Sequence, residues 1–131
     1  MNKIKLAYII DDDEIIVYLT DRIIKEVQFC EHSETFKNGQ LAIDRLKYAI
    51  ENNLELPEVI LFDINMPVMD GWEFLNEFMK LPLKDQIPLF IFTSSINPSD
   101  KEKSYKYKII RDYIQKPLTV HKLDKILRLI Q

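Results

Sequence analysis

Two stretches of this chain, Val59-Ile60-Leu61-Phe62 and Ile87 to Phe92, are almost unbroken apolar runs only a few residues long. A strand with one face in water alternates apolar and polar residues, whereas a continuous run is what a strand covered on both faces requires. Such strands belong to parallel sheets, and parallel neighbours need helical crossovers of one hand. The rest of the chain supplies those crossovers. Ile4 to Ile10 is a further apolar run that stops at Asp11-Asp12-Asp13, after which Ile16, Leu19, Ile23 and Val27 recur at helical spacing. A weaker strand from His32 to Phe36 leads to Asn38-Gly39, a turn signal, and Ala42, Leu46, Ala49 and Ile50 then mark a second helix. Phe74, Leu75, Phe78 and Met79 give a helical stripe from Gly71 to Leu81, closed by Pro82. Asn97, Pro98 and Asp100 read as a helix N-cap, a first-turn proline and an acid favoured by the helix dipole. Arg111 to Gln115 reads as a fifth strand, and Val120, Leu123, Ile126, Leu127 and Ile130 line a last helix capped by Thr119. Five strands alternating with five helices predict an α/β fold, an open and mostly parallel sheet doubly wound by helices on both faces.

The 131 residues are enough for one domain around a single layered core, and residues 1–131 are read as one unit with no output domain. With 47% hydrophobic and 30% charged residues the chain is neither disordered nor membrane-embedded, and no apolar run is long enough to span a bilayer. The slightly basic start, Met1 to Lys5, is followed by an apolar run that breaks at Asp11 without a small-residue cleavage site, so no signal peptide is expected. A lone Cys30 suits a reducing cytoplasm. A net charge of −3 offers no electrostatic reason to bind nucleic acid.

In a sheet of this kind the ligand site lies beyond the carboxyl ends of the strands, where strand order reverses. The polar residues at those ends are Asp11 and Asp12 after the first strand, Asp63 after the third, Thr93 at the fourth and Lys116 after the fifth. Alone, Asp11 and Asp12 are as well read as acids at a helix N-terminus, Thr93 as a strand-end hydroxyl and Lys116 as a surface lysine. Together they place three carboxylates in one crevice, which repel unless a cation neutralises them. Mg²⁺, with Mn²⁺ as an alternative, prefers such hard oxygen donors and is commonly shared between carboxylates and a phosphate. A carboxylate in that setting can attack phosphorus to give an aspartyl phosphate, with a hydroxyl and an ammonium available to the phosphoryl oxygens.

Four motifs, Tyr8-Ile9-Ile10-Asp11-Asp12-Asp13, Leu61 to Gly71 (LFDINMPVMDG), Phe92-Thr93-Ser94-Ser95 and Tyr113-Ile114-Gln115-Lys116-Pro117, sit at these ends. In them the chain resembles the CheY-like receiver domains of two-component signalling, over essentially its whole length. The resemblance implies a flavodoxin-like sheet of order 2-1-3-4-5. It implies that Asp63 accepts a phosphoryl group, that Asp12 binds Mg²⁺ directly and Asp11 through water, and that Asn65 offers its backbone carbonyl. It assigns Thr93 and Lys116 to the phosphoryl oxygens, a cis bond to Lys116-Pro117, and a switch role to Thr93 and Tyr113. Asn65 and Ser95 would flank the path of the hydrolytic water, and Ser95, lacking a strong base, would make hydrolysis slow.

The implied partners are a histidine kinase or histidine phosphotransfer protein and an unknown output protein that reads the surface of the fourth helix, fifth strand and fifth helix. The chain itself would be a cytoplasmic monomer or weak dimer, a switch rather than an enzyme beyond its own phosphotransfer and dephosphorylation. Two other readings are weaker. A phosphohydrolase of the haloacid-dehalogenase class needs an acid two residues after its nucleophile, where Asn65 stands; an unphosphorylated receiver-shaped module would have lost an acid, the threonine or the lysine. The run Tyr107 to Asp112 departs from the Gly-Ala pair common before the strand-five aromatic, and leaves the length of the fourth helix open. Trp72 reads as packing, and Lys101, Lys103, Lys106 and Lys108 read as a solvated helix face.

Overall fold

A computed structural model describes residues 4–83 and 86–130; the basic start from Met1 to Lys3 lies outside the described residues. In chain order the elements are β1 (Ile4–Ile10), α1 (Glu14–Glu26), β2 (Cys30–Phe36), α2 (Gly39–Glu51), β3 (Val59–Phe62), α3 (Gly71–Phe78), β4 (Leu89–Thr93), α4 (Pro98–Ser104), β5 (Ile110–Gln115) and α5 (Val120–Ile130). The strands form one sheet of order β2-β1-β3-β4-β5, and every pairing is parallel.

Because side chains alternate across a strand, the two faces of the sheet carry separate cores. On one face Leu6, Tyr8, Ile10, Ile60, Phe62 and Ile91 pack against Leu46, Phe74 and Phe78 of α2 and α3. On the other, Ala7, Ile9, Leu61, Phe90, Phe92 and Ile114 pack against Ile24, Leu123 and Ile126 of α1 and α5. All four residues of β3 and all five of β4 are buried, as the apolar runs predict.

The local readings shift in three places. Asn38-Gly39 is a helix start rather than a turn: Asn38 is extended and caps α2, accepting from the Leu41 N–H at 2.9 Å. α3 stops at Phe78, beyond which the chain tightens into three-residue turns, Lys80 N–H donating to the Glu77 carbonyl at 3.2 Å and Leu81 N–H to that of Phe78 at 3.0 Å, with Leu81 still packed on the core. β5 starts at Ile110 and contains a bulge: Leu89 pairs with Ile110 but Phe90 with Asp112, so Arg111 is the extra residue. The unusual segment before the fifth strand is thus absorbed by a short α4 and this bulge.

The sequence holds two glycines, and both serve close approach rather than unusual backbone angles. Gly71 opens α3 directly on the end of β3; a Cβ there would lie 2.4 Å from the Asp63 carbonyl oxygen. Its N–H donates to the Ile64 carbonyl at 2.8 Å. Left-handed backbone falls instead to Gln28, Asn53 and Val68, the last at φ 66°.

Candidate functional site at the carboxyl edge of the sheet

The sheet ladder runs one residue past each of three strands and so fixes the backbone of the polar residues that follow. Asp11 N–H donates to the Phe36 carbonyl, Asp63 N–H to that of Ile10 and Lys116 N–H to that of Thr93, each at 2.9 Å. The side chains then converge. Lys116 Nζ lies 3.1 Å from Asp63 Oδ2 and 2.5 Å from Asp11 Oδ2, with all three side chains less than a tenth exposed. Asp11, Asp12 and Asp63 each offer an oxygen within 4.8 Å of the others.

Each carboxylate is held differently. Asp63 Oδ1 accepts from the Ile64 N–H at 2.7 Å while Oδ2 accepts from Lys116, so the carboxylate is oriented through both oxygens. Asp11 Oδ1 accepts from the Asp13 N–H at 3.0 Å. Its Oδ2 is buried and touches Lys116 as an ion pair, without an aligned hydrogen bond. Capping of α1 falls to Asp13, whose Oδ1 accepts from the N–H groups of Ile15 and Ile16. That leaves exposed Asp12 free of the helix-cap role.

Burial pushes the Asp11 pKa up, opposed by Lys116 and the Asp13 N–H. Burial pulls Lys116 down, but Asp11 and Asp63 together outweigh it and hold the ammonium above its ordinary value. A single lysine thus faces three acids, two of them buried, and the buried, unaligned Asp11 oxygen beside two further carboxylates is a donor set suited to a hard divalent cation.

Thr93 is fully buried, and its Oγ1 accepts from the Ser95 N–H at 3.1 Å. Tyr113 is half-buried, and its hydroxyl donates to the Ser95 carbonyl at 3.1 Å. Burial raises the Tyr113 pKa, the Ser95 contact lowers it, and Asp100 and Asp63 raise it further. Asn65 is exposed in the loop after β3, and the Lys116-Pro117 bond is cis. His32 and His121 are exposed on β2 and α5. Cys30 is half-buried, its thiol pushed up to about 11 by burial and then by Asp21.

Two contacts were not legible in advance. Lys103 Nζ sits 4.6 Å from the centre of the Trp72 ring, which also stacks on Tyr107 at 5.8 Å. Trp72 is therefore more than packing, and Lys103 is not simply solvated. Ser95 Oγ donates to Asp100 Oδ2 at 2.6 Å. The sequence carries each residue, but the first contact depends on where α4 is laid beside α3, which no local periodicity encodes.

A family model described as the response regulator receiver domain matches residues 7–128. The structure of a two-component response regulator from Cytophaga hutchinsonii superposes with a TM-score of 0.90 at 30% identity, covering 98% of each chain. Response regulator Rcp1 of Synechocystis is 27% identical over 99% of this chain and 88% of its own length. A Mn²⁺-bound form of response regulator Rcp1 superposes with a TM-score of 0.74 at 26% identity, over 95% of this chain and 89% of that one. Other curated relatives are much longer, and the chain spans 17%, 31% and 43% of three of them. Among the described residues no helix is long and apolar enough to cross a membrane.

Proposed function

The chain belongs to the response regulator receiver family of two-component systems, and we propose that it is a phosphorylation switch whose phosphoacceptor is Asp63. One observation carries this reading: Asp63 closes the buried strand β3 with both carboxylate oxygens engaged, between the Lys116 ammonium and the carboxylates of Asp11 and Asp12. An acid so buried needs a charged reason to be there.

Receiver domains interact with histidine kinases and phosphotransfer proteins, and the phosphoryl donor for this chain is a phosphohistidine of one of these. An Asp63 oxygen attacks phosphorus, the oxygen–phosphorus bond forms as the phosphorus–nitrogen bond breaks, and the imidazole leaves with the electron pair. Lys116, freed from its bond to Asp63 Oδ2, turns its ammonium to a phosphoryl oxygen, and the Thr93 hydroxyl, which so far only accepts, donates to another. Receiver domains bind a divalent metal; here Asp11, Asp12, Asp63 and the Asn65 backbone carbonyl would hold Mg²⁺, or Mn²⁺ in its place, which when bound neutralises the charge that would repel an incoming phosphoryl group. The only other chemistry is hydrolysis, in which a water oxygen bonds to phosphorus as the bond to the Asp63 oxygen breaks, releasing inorganic phosphate and restoring the carboxylate.

The switch would run through Thr93, the loop after β4 and Tyr113. Tyr113 is already tied to that loop through Ser95, so ring and loop travel together when Thr93 is drawn toward the phosphoryl group. The surface of α4, β5 and α5 is the output face, read by a partner protein. Acetyl phosphate with Mg²⁺ should add one phosphoryl group, mapped to Asp63 by mass spectrometry; a modification that persists in Asp63→Asn overturns the assignment.

A further inference from the structure

Four hydrogen bonds converge on Ser95, two residues beyond Thr93. Its N–H donates to Thr93 Oγ1 at 3.1 Å, its carbonyl accepts from the Tyr113 hydroxyl at 3.1 Å, and its Oγ accepts from the Asn97 N–H at 3.3 Å. The fourth is the shortest: Ser95 Oγ donates to Asp100 Oδ2 at 2.6 Å. Asp100 is half-buried in the first turn of α4. That helix has 7 residues, too few to hold themselves, so its place is set by what it touches.

It touches the rest of the molecule at both ends. Near its end, Lys103 lies over the Trp72 ring and Tyr107 stacks on it. Trp72 follows Gly71, which is pressed on the Asp63 backbone and bonded to the Ile64 carbonyl. The far end of α4 is thus referred to the strand that carries Asp63, and its near end, through Asp100 and Ser95, to the loop that carries Thr93.

We propose that Asp100 is a positioning residue: through the Ser95 hydroxyl it hitches α4 to the Thr93 loop, so that movement of Thr93 toward a phosphoryl group swings the first turn of α4 about the Trp72–Lys103–Tyr107 anchor. This rests on the phosphorylation reading above. The ordinary role of an acid in a first helical turn is to meet the helix dipole. That role depends on charge and is indifferent to Ser95, whereas the hitch depends on an acceptor oxygen and fails without Ser95. Asp100→Asn keeps the oxygen and shape but removes the charge, so it separates the two.

The test uses the full chain with two readouts. Without phosphodonor, hydrogen exchange of the α4 amides should quicken about five- to tenfold in Asp100→Ala, the worth of one hydrogen bond, and at least as much in Ser95→Ala, which also gives up the bond from the Asn97 N–H. The double variant should go no faster than Ser95→Ala alone, and Asp100→Asn should exchange as the wild type does. With acetyl phosphate and Mg²⁺, the wild type should show a changed emission of Trp72, the sequence's one tryptophan. Asp100→Ala should take up phosphoryl equally but lose most of that emission change, and Asp100→Asn should restore it. Additive effects in the double variant, an Asp100→Asn that behaves like Asp100→Ala, or a full emission response in Asp100→Ala each overturn the hitch. Failure of the wild type to take up phosphoryl overturns the phosphorylation reading instead, and the exchange arm still decides whether Asp100 holds α4 through Ser95.

Discussion

Replacing Gly71 by alanine sets two rules against each other. Helix propensity says that a glycine-to-alanine change inside a helix stabilises, by about 1 kcal/mol, and Gly71 is the first residue of α3 with an ordinary helical backbone. Packing says the opposite. The new Cβ would lie 2.4 Å from the Asp63 carbonyl oxygen and 2.7 Å from Ile64 Cα, where ordinary contact begins at 3.4 Å, and both neighbours are backbone atoms that no rotamer change can move. α3 must back away from β3 by about 1 Å, which overpacking data put at roughly 1–3 kcal/mol. The bond from the Gly71 N–H to the Ile64 carbonyl stretches with it, at a further cost of about 1 kcal/mol. The balance is a net loss of about 1–3 kcal/mol, seen in urea denaturation as a midpoint lower by roughly 1 M. Gly39→Ala is the control: its Cβ would meet Phe74 Cβ at 2.8 Å and the flexible Met69 side chain at 3.0 Å, so part of the clash can relax and the loss should be smaller. Phosphoryl uptake should slow in Gly71→Ala because the displaced backbone is that of Asp63. A midpoint equal to or above the wild type would refute the packing argument and leave helix propensity as the stronger effect.

Val68 holds a left-handed φ of 66° with a β-branched side chain that is 79% exposed, so Val68→Asn should relieve about 1 kcal/mol of backbone strain while giving up almost no packing; an unchanged urea midpoint would count against the strain. Asp11 gives a pH dependence: its pKa is raised in the fold above 3.8, so between that value and the raised one the folded state holds more protons than the unfolded, and stability falls as pH rises. In chelator, Asp11→Asn should therefore gain on the wild type as pH is raised from about 4 toward neutrality, and a constant or shrinking difference between their denaturation midpoints would contradict the raised value. Lys116, raised by its acid partners in spite of burial, keeps its contribution through this whole range and loses it only above 10.5.

The readable part of the fold was the part governed by period. Val59 to Phe62 and Leu89 to Phe92 are apolar on both sides because helices cover both faces, and that alone implies the parallel sheet and the edge on which to look for chemistry. The convergence of Asp11, Asp63 and Lys116 followed from strand ends, since each polar residue is held by a ladder bond one step past its strand. What escaped was set by tertiary placement. Trp72 and Lys103 lie 31 residues apart and meet only through the placement of α4 beside the start of α3. Asp100 looks like any first-turn acid until Ser95 is seen beside it. Asn38 and Gly39 read as a turn because cap and turn draw on the same residue types, and only the helix that follows tells them apart.

The position of β1 in the sheet has a consequence for which parts of the chain the site draws on. β1 is flanked by β2 on one side and by β3 on the other, so its second neighbour is a strand that lies beyond α1, β2 and α2 in the chain. That pairing sets Asp63 beside Asp11 and Asp12, and the ammonium that faces them comes from two strands further along the chain, with Lys116. In the folded sheet the central strand pair therefore brings three carboxylates together, and the ammonium set against them is supplied only by the last β-α unit.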